Sequence, residues 1–392
     1  MRKILTLLMI AIAPSLMAQN DTSNLSTNNA NATSAINKLT VGTYAQIDYN
    51  QKIDSETKQN GVLDVHRLVM TMGYRFSDRT RFFSEIEFEH VNEVFMEQAF
   101  VSHKINDYMN IKAGLLLIPM GIINEYHEPP IYNGVERPNV DKNIVPTTWR
   151  EIGIGINGRF DEAAIKYQLY IVNGFNGYTG DTGKFRGKDG LRKGRQKGAE
   201  SFMSSPNLSM KIDYYGVSGL KLGLAGYFGK SQSSLFNGLY KNDTNGLAAA
   251  DSSVVGVAMI GLDARYNTGG LSLRGQLITT KISNTLAYNT KTGKDLGSSL
   301  MGYYVELGYN VLHNNTKTSS ELIPFVRYEN YDTHHKVEGI IKNKAYAKSE
   351  VIFGFGWKPT KMTVFKADYQ IIKSKADNKS TGQLNLGVGI MF

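Results

Sequence analysis

From Leu39 to the last residue, Phe392, apolar and polar side chains alternate with a period of two. That is the period of a strand, whose successive side chains leave on opposite faces. In 39–49, Leu39, Val41, Ala45, Ile47 and Tyr49 share one face, and Thr40, Tyr44, Gln46 and Asp48 share the other. Leu68, Met70, Met72, Tyr74 and Phe76 oppose Arg67, Thr71 and Arg75; Ser84, Ile86 and Phe88 oppose Glu85, Glu87 and Glu89. Read to the end in this way, the chain holds about sixteen strands. Gly and Tyr are abundant (39 and 22) and Pro is scarce (9), as long aromatic-rich strands require.

The connections sort by length. Seven are short, at 77–79, 105–108, 161–162, 216–218, 267–270, 313–320 and 359–360. Between them lie longer ones at 50–65, 119–148, 174–206, 230–253, 284–298, 333–345 and 374–382, with a tight turn at 91–93 as the exception. A soluble sandwich has no reason to sort its loops. A barrel crossing a membrane does, with tight turns in the periplasm and long loops outside. Strands running toward the short turns end on outward aromatics: Tyr74 and Phe76, Phe160, Tyr214, Tyr266, Tyr309, Trp357 and Phe392. Rings at one level form a girdle at the lipid headgroups. The expected fold is therefore all-β, a transmembrane antiparallel β-barrel over 39–392.

The start of the chain points to export. Arg2 and Lys3 precede a mostly apolar run at 4–16, and Ala18 stands before Gln19. Residues 1–18 read as a cleaved signal peptide and the polar stretch 19–38 as a flexible periplasmic leader. No later stretch reaches the roughly 18 apolar residues of a membrane helix. There is no cysteine, so no disulfide, thiolate metal site or N-terminal lipid anchor is available. The formal charge of +9 suits an encounter with lipopolysaccharide or anionic solutes, and export makes nucleic acid an unsuitable partner. The expected location is the outer membrane of a Gram-negative bacterium.

The last strand places Leu384, Leu386, Val388, Ile390 and Phe392 on the lipid face. This ending resembles the C-terminal signal of bacterial outer-membrane proteins, which implies handling by the barrel-assembly machinery through Phe392. The runs FSEIEFEH (83–90), MEQAFVSHKI (96–105), AGLLLIPMG (113–121) and TTWREIGIGI (147–156) resemble the phosphate-selective porin O and P family, and YIVNGFNG (170–177) and PFVRYENYD (324–332) are similar in kind. The resemblance implies sixteen strands, a homotrimer and a third long loop folded inward.

A pore is argued from the inward face. Its cations are Arg67, Arg75, Lys112, Arg150, Arg159, Lys166, Lys211, Lys221, Arg265, Arg274, Arg327 and Lys366. Its anions are Glu85, Glu87, Glu89, Glu151, Asp213, Asp263, Glu306, Glu329 and Asp368. So many charges are tolerable beside water or in pairs. Arg150 with Glu151, and Arg327 with Glu329, read equally as ion pairs within the wall. Loop 119–148 carries Pro129, Pro130 and Pro138 together with Glu125, His127, Glu128, Glu136, Arg137, Asp141 and Lys142. A loop of this length is usually functional, and it is expected to fold inward and narrow the pore, an external lid being the alternative. Loop 174–206 concentrates Lys184, Arg186, Lys188, Arg192, Lys193, Arg195 and Lys197, which would either draw anions to the mouth or bind lipopolysaccharide phosphates.

Other motifs carry little. Gly153, Gly155 and Gly158 match G-x-G-x-x-G but lie inside an alternating strand, so no nucleotide site is expected. His127 with Glu125 and Glu128, or His334 with His335, lacks metal-site spacing, and no local signature organises a catalytic triad. No cofactor is expected. The function read from the sequence is a porin passing small hydrophilic solutes, anions among them, without enzymatic activity; an outer-membrane barrel with an enzymatic, adhesive or structural role is the alternative.

Overall fold

The structure is a computed structural model and describes residues 38–53, 56–377 and 380–392. The expected signal peptide and nearly all of the leader lie outside the described residues. The chain divides after Leu39, and the unit Thr40–Phe392 holds the barrel.

The period-two segments form sixteen barrel strands among the described residues: β1 (Leu39–Ile53), β2 (Val62–Arg75), β3 (Thr80–Glu89), β4 (Glu93–Asn106), β5 (Met109–Leu117), β6 (Arg150–Phe160), β7 (Ile165–Val172) and β8 (Asn207–Val217). They continue as β9 (Leu220–Lys230), β10 (Gly256–Thr268), β11 (Leu271–Ser283), β12 (Ser299–Tyr309), β13 (Glu321–Lys336), β14 (Ala347–Thr360), β15 (Thr363–Ser374) and β16 (Ser380–Met391). Each pairs antiparallel with its neighbours in sequence, and β16 closes the ring on β1. The seam is tied at its end by Thr43 N–H donating to Phe392 O (2.8 Å) and Phe392 N–H donating to Thr43 O (2.9 Å). Closure leaves no edge strand with unpaired backbone groups.

The alternation is inverted relative to a soluble protein. Lys211 is 1% exposed, whereas its neighbours Met210 and Ile212 are 36% and 50% exposed. Apolar side chains point outward around the ring, from Leu68 and Met70 to Phe353 and Ile390. A band of that extent is stable against lipid, not water. All seven expected short turns lie at one end. In one of them, Gly269 and Gly270 supply the positive φ values (48° and 85°) that a two-residue hairpin turn needs. Aromatic rings cluster at this end: Tyr74 lies 5.0 Å from Phe76, Phe160 stacks on Tyr108 and Tyr167, and Trp357 stacks on Phe365.

The other end is uneven. Over β6–β13 the long loops pack together, with Trp149 4.5 Å from Phe175 and 4.6 Å from Tyr227, beside Phe185 and Tyr288. A small sheet of Asn176–Thr179, Thr182–Gly183 and Gln232–Ser233 braces them. Over β15, β16 and β1–β4 the strands run further than expected, so the long connections expected at 50–65 and 374–382 shrink to 54–61 and 375–379.

Two local departures from alternation matter. The β3–β4 pairing shifts register after Glu85, so β4 carries an extra residue and turns both Glu97 and Gln98 inward. On β16, Gly387 faces inward beneath the long loop between β5 and β6: a Cβ there would stand 2.9 Å from Val135 Cγ1. Gly302 on β12 does the same beneath Ile144 (2.8 Å) and Val140 (3.2 Å). At these two positions the loop packs closely because the wall has no side chain there.

Candidate functional site

Loop 118–149 leaves β5 and turns into the barrel. Its neck is stapled by Asn124, whose amide donates to Ile118 O (2.7 Å) and Trp149 O (2.9 Å) and accepts from Trp149 N–H (2.9 Å). Inside, the loop cannot make a sheet ladder, so its backbone groups need other partners. Wall charges supply them. Lys366 on β15 donates to the carbonyls of Tyr132 (2.8 Å) and Gly134 (2.7 Å), and Asp368 accepts from Val135 N–H (2.6 Å). Arg327 on β13 donates to Asn133 O (2.6 Å), to Glu306 (2.8 Å) and to Glu329 (3.2 Å), while Glu329 accepts from Val140 N–H (3.1 Å).

The two flanks of the loop are held by charge as well. Lys211 on β8 donates to Glu125 (2.9 Å) and Gly121 O (2.8 Å). Burial alone would raise the Glu125 carboxyl, but Lys211 and Lys166 hold it down at about 2. Across the lumen, His127 Nε2 lies 2.9 Å from Tyr44 OH and 3.0 Å from Glu97. Burial opposes the imidazolium, yet Glu97 and Glu85 outweigh it and push His127 up to about 9.

Asp141 is the exception, because among the described residues it forms no ion pair. Gln276 donates to one of its oxygens (2.8 Å) and the other has no hydrogen-bond partner. Burial pushes its carboxyl up to about 7, against the pull of the Gln276 bond. Asp141 therefore holds its proton more tightly folded than unfolded, so it favours folding at low pH and its contribution is lost as pH rises from about 4 toward about 7. Comparing Asp141→Asn with wild type by denaturant unfolding, the balance should move toward the variant by on the order of 2 kcal/mol between about pH 4 and about pH 8. A difference that stays constant with pH would contradict this.

The expected pore-lining residues divide into groups. Arg67, Lys211, Arg327 and Lys366 are buried, and the last three bond to the loop. Arg67 faces Glu87 at 3.5 Å, and Arg274 bonds to Glu306 (2.9 Å) and Ile131 O (3.2 Å). Lys112, over the Phe100 ring, and Lys166 line a cavity of about 210 Å³ with Glu125. Lys221 and Arg265 flank the Tyr126 ring. Arg75 and Arg159 instead stand exposed at the short-turn end, Arg159 against Asp161 at 2.5 Å. The expected Arg327–Glu329 pair is present, whereas Arg150 and Glu151 do not pair. β6 begins at Arg150 after Thr148 takes a positive φ of 55°; Arg150 reaches Glu97 at 3.7 Å, and Glu151 accepts from the Trp149 indole (2.9 Å). From loop 174–206, Arg192 and Arg195 donate to Thr147 O, and Lys197 lies over the Phe95 ring.

Two larger cavities flank the loop along the β16–β1–β2–β3 wall. Toward the long-loop end, about 560 Å³ is lined by residues that include Arg67, Glu136, Arg137, Lys142 and Arg192. Toward the short-turn end, about 380 Å³ is lined by residues that include Tyr44, Glu85, His127 and Phe392. The Tyr132 hydroxyl donates to Gln46 (3.0 Å), which lines the first, and His127 Nε2 lies 2.9 Å from Tyr44, which lines the second. Reading the sequence overlooked Glu97, Gln276 and Asn124. Glu97 breaks the alternation, and nothing local marks the other two. The glycines on the polar face of 384–392 were a visible sign of the loop's approach.

No family model matches the chain. An uncharacterized protein of Aquifex aeolicus (strain VF5) is 32% identical over 354 residues, covering 87% of this chain and 77% of that protein. Among solved structures, the anion-selective porin from Comamonas acidovorans superposes with a TM-score of 0.58 at 14% identity, over 90% of this chain and 99% of that one. The outer membrane channel DcaP of Acinetobacter baumannii gives 0.57 at 12% identity, over 90% and 97%. At such identities the likeness is one of fold. The barrel has the sixteen-stranded fold of the porins, and the chain belongs to the same family as the Aquifex aeolicus protein.

Proposed function

We propose that this chain is an outer-membrane porin of a Gram-negative bacterium that passes small hydrophilic solutes by diffusion, with a weak preference for anions. The observation that carries this reading is the pair of cavities on one wall of a closed barrel, separated by an inward loop. The vestibule toward the long loops has Lys52, Arg67, Arg137, Lys142 and Arg192 against Asp64, Glu89 and Glu136, a cationic excess. Among the described residues, Arg137 also keeps two buried guanidinium nitrogens without a hydrogen-bond partner. Such a lining attracts anions, and salt weakens the attraction. The Comamonas porin's description as anion-selective agrees with it, and the resemblance to the phosphate-selective family makes phosphate a solute to test first. In this reading residues 1–18 direct export, Phe392 at the β1–β16 seam serves assembly, exposed Lys188 and Lys193 meet lipopolysaccharide, and the barrel works as a homotrimer.

The test is planar-bilayer recording of the purified protein. Wild type should conduct and show an anion-side reversal potential under a salt gradient. Deleting 124–142 should raise single-channel conductance several-fold, because the loop's bonds to the wall go with it. A non-conducting wild type would overturn the porin reading, unchanged conductance after deletion would remove the loop's constricting role, and a cation preference would remove the anion part.

A further inference from the structure

Where the loop meets the wall, four donor atoms converge from different elements: Tyr44 OH on β1, Glu85 Oε1 on β3, Glu97 Oε2 on β4 and His127 Nε2 on the loop. Tyr44 OH lies 2.9 Å from Glu85 and 3.4 Å from Glu97, and His127 Nε2 lies 2.9 Å from Tyr44, 3.0 Å from Glu97 and 4.0 Å from Glu85. The glutamate and histidine donors all lie within 4.8 Å of one another. A tetrahedral ion at about 2.0–2.2 Å from nitrogen and oxygen ligands would separate them by about 3.3–3.6 Å. The observed separations bracket that spacing, so small side-chain shifts suffice.

Each carboxylate is oriented by a partner that leaves its inward oxygen available. Glu85 accepts from Gln98 (2.6 Å) through its other oxygen, and Arg150 stands 3.7 Å from the other oxygen of Glu97. That oxygen of Glu97 and His127 Nδ1 have no hydrogen-bond partner, although the two residues are 0% and 3% exposed. Arg67 pairs with Glu87, outside the donor set. The cavity of about 380 Å³ lined by Tyr44, Glu85 and His127 offers a way in from the short-turn end. Imidazole with carboxylates suits zinc and similar first-row divalent ions.

We propose that Tyr44, Glu85, Glu97 and His127 form a site for a divalent transition-metal ion of zinc's size, which takes the His127 Nε2 lone pair as that nitrogen's proton leaves to solvent, and ties the loop to the wall beside the solute path. Three ligands belong to the rigid barrel and one to the loop, so binding stiffens the loop at its narrowest approach.

The test is a calorimetric titration of the full chain, purified in detergent and stripped with EDTA, with zinc chloride. One ion per chain should bind, and His127→Ala and Glu97→Gln should each weaken it by about tenfold or more, the scale on which even outer partners of a metal site act. His90→Ala should leave it unchanged; His90 and His66, which share Asp64 (2.5 and 4.0 Å), form the competing cluster at the mouth. Circular dichroism checks that each variant keeps its barrel, and Glu97→Asp, which retains the charge but withdraws the oxygen, replaces a Glu97→Gln variant that does not fold. In bilayers, zinc should reduce the wild-type current and not that of His127→Ala. No saturable binding at millimolar zinc, binding kept in both ligand variants, or binding lost in His90→Ala would each overturn the proposal. Binding in detergent does not depend on conduction, so it separates this inference from the porin reading.

Discussion

Replacing Arg327 with Met is expected to lower the barrel's unfolding free energy by about 3–5 kcal/mol, measured from denaturant midpoints in detergent. Arg327 is 1% exposed and satisfies Glu306, Glu329 and the carbonyl of Asn133 together. Met fills similar volume without the charge, so the loss is electrostatic. Glu306 keeps Arg274 at 2.9 Å, but Glu329 keeps only the Val140 amide. A buried carboxylate left without its cation is the costly outcome, whereas removing both partners together is much cheaper. Adding Glu329→Gln should therefore recover about 1–3 kcal/mol of the deficit. A loss below about 1 kcal/mol would mean that the network behaves as a solvated surface pair.

Lys211→Met should cost a similar amount, about 3 kcal/mol or more, by the same mechanism on the opposite flank. Lys211 is the hub of Glu125 (2.9 Å), Asp263 (3.3 Å) and Asp213 (4.0 Å), and it also bonds Gly121 O. Without it the carboxylates repel one another, with Lys221 and Arg265 compensating from 3.5–3.8 Å. One of the anions belongs to the loop, so the cost should depend on the loop. In a chain lacking 124–142, Lys211→Met should cost clearly less, since Glu125 is gone while Asp213 and Asp263 remain. Equal costs in the two backgrounds would show that Lys211 serves the wall alone.

Both predictions concern residues already visible as inward charges, and their position was legible for a simple reason. Lys211 lies between Met210 and Ile212, and Arg327 between Val326 and Tyr328. Period two assigns such residues to a face without knowledge of the rest of the chain. Their roles were not legible. An inward cation on a strand reads as a pore lining, whereas Arg327, Lys211 and Lys366 are turned to the backbone of a loop, and Arg327 and Lys211 also to carboxylates. The Arg150–Glu151 pairing failed because each buried side chain has a different partner, Arg150 standing 3.7 Å from Glu97 and Glu151 accepting from the Trp149 indole. Glu97 escaped notice because a one-residue bulge changes the side on which every later residue of β4 emerges.

Strand number, facing and the two kinds of connection are properties of consecutive residues, set by the pleat and by chain length. The barrel was therefore readable from residue 39 to Phe392. The site depends on closure instead. Only when β16 pairs with β1 do Gln46 and Lys366 come to face the same turn of the loop, where Tyr132 donates to Gln46 and its carbonyl accepts from Lys366 across 234 positions of sequence. Such contacts leave no mark on neighbouring residues. They arise from bending sixteen strands into a ring and folding one loop through it.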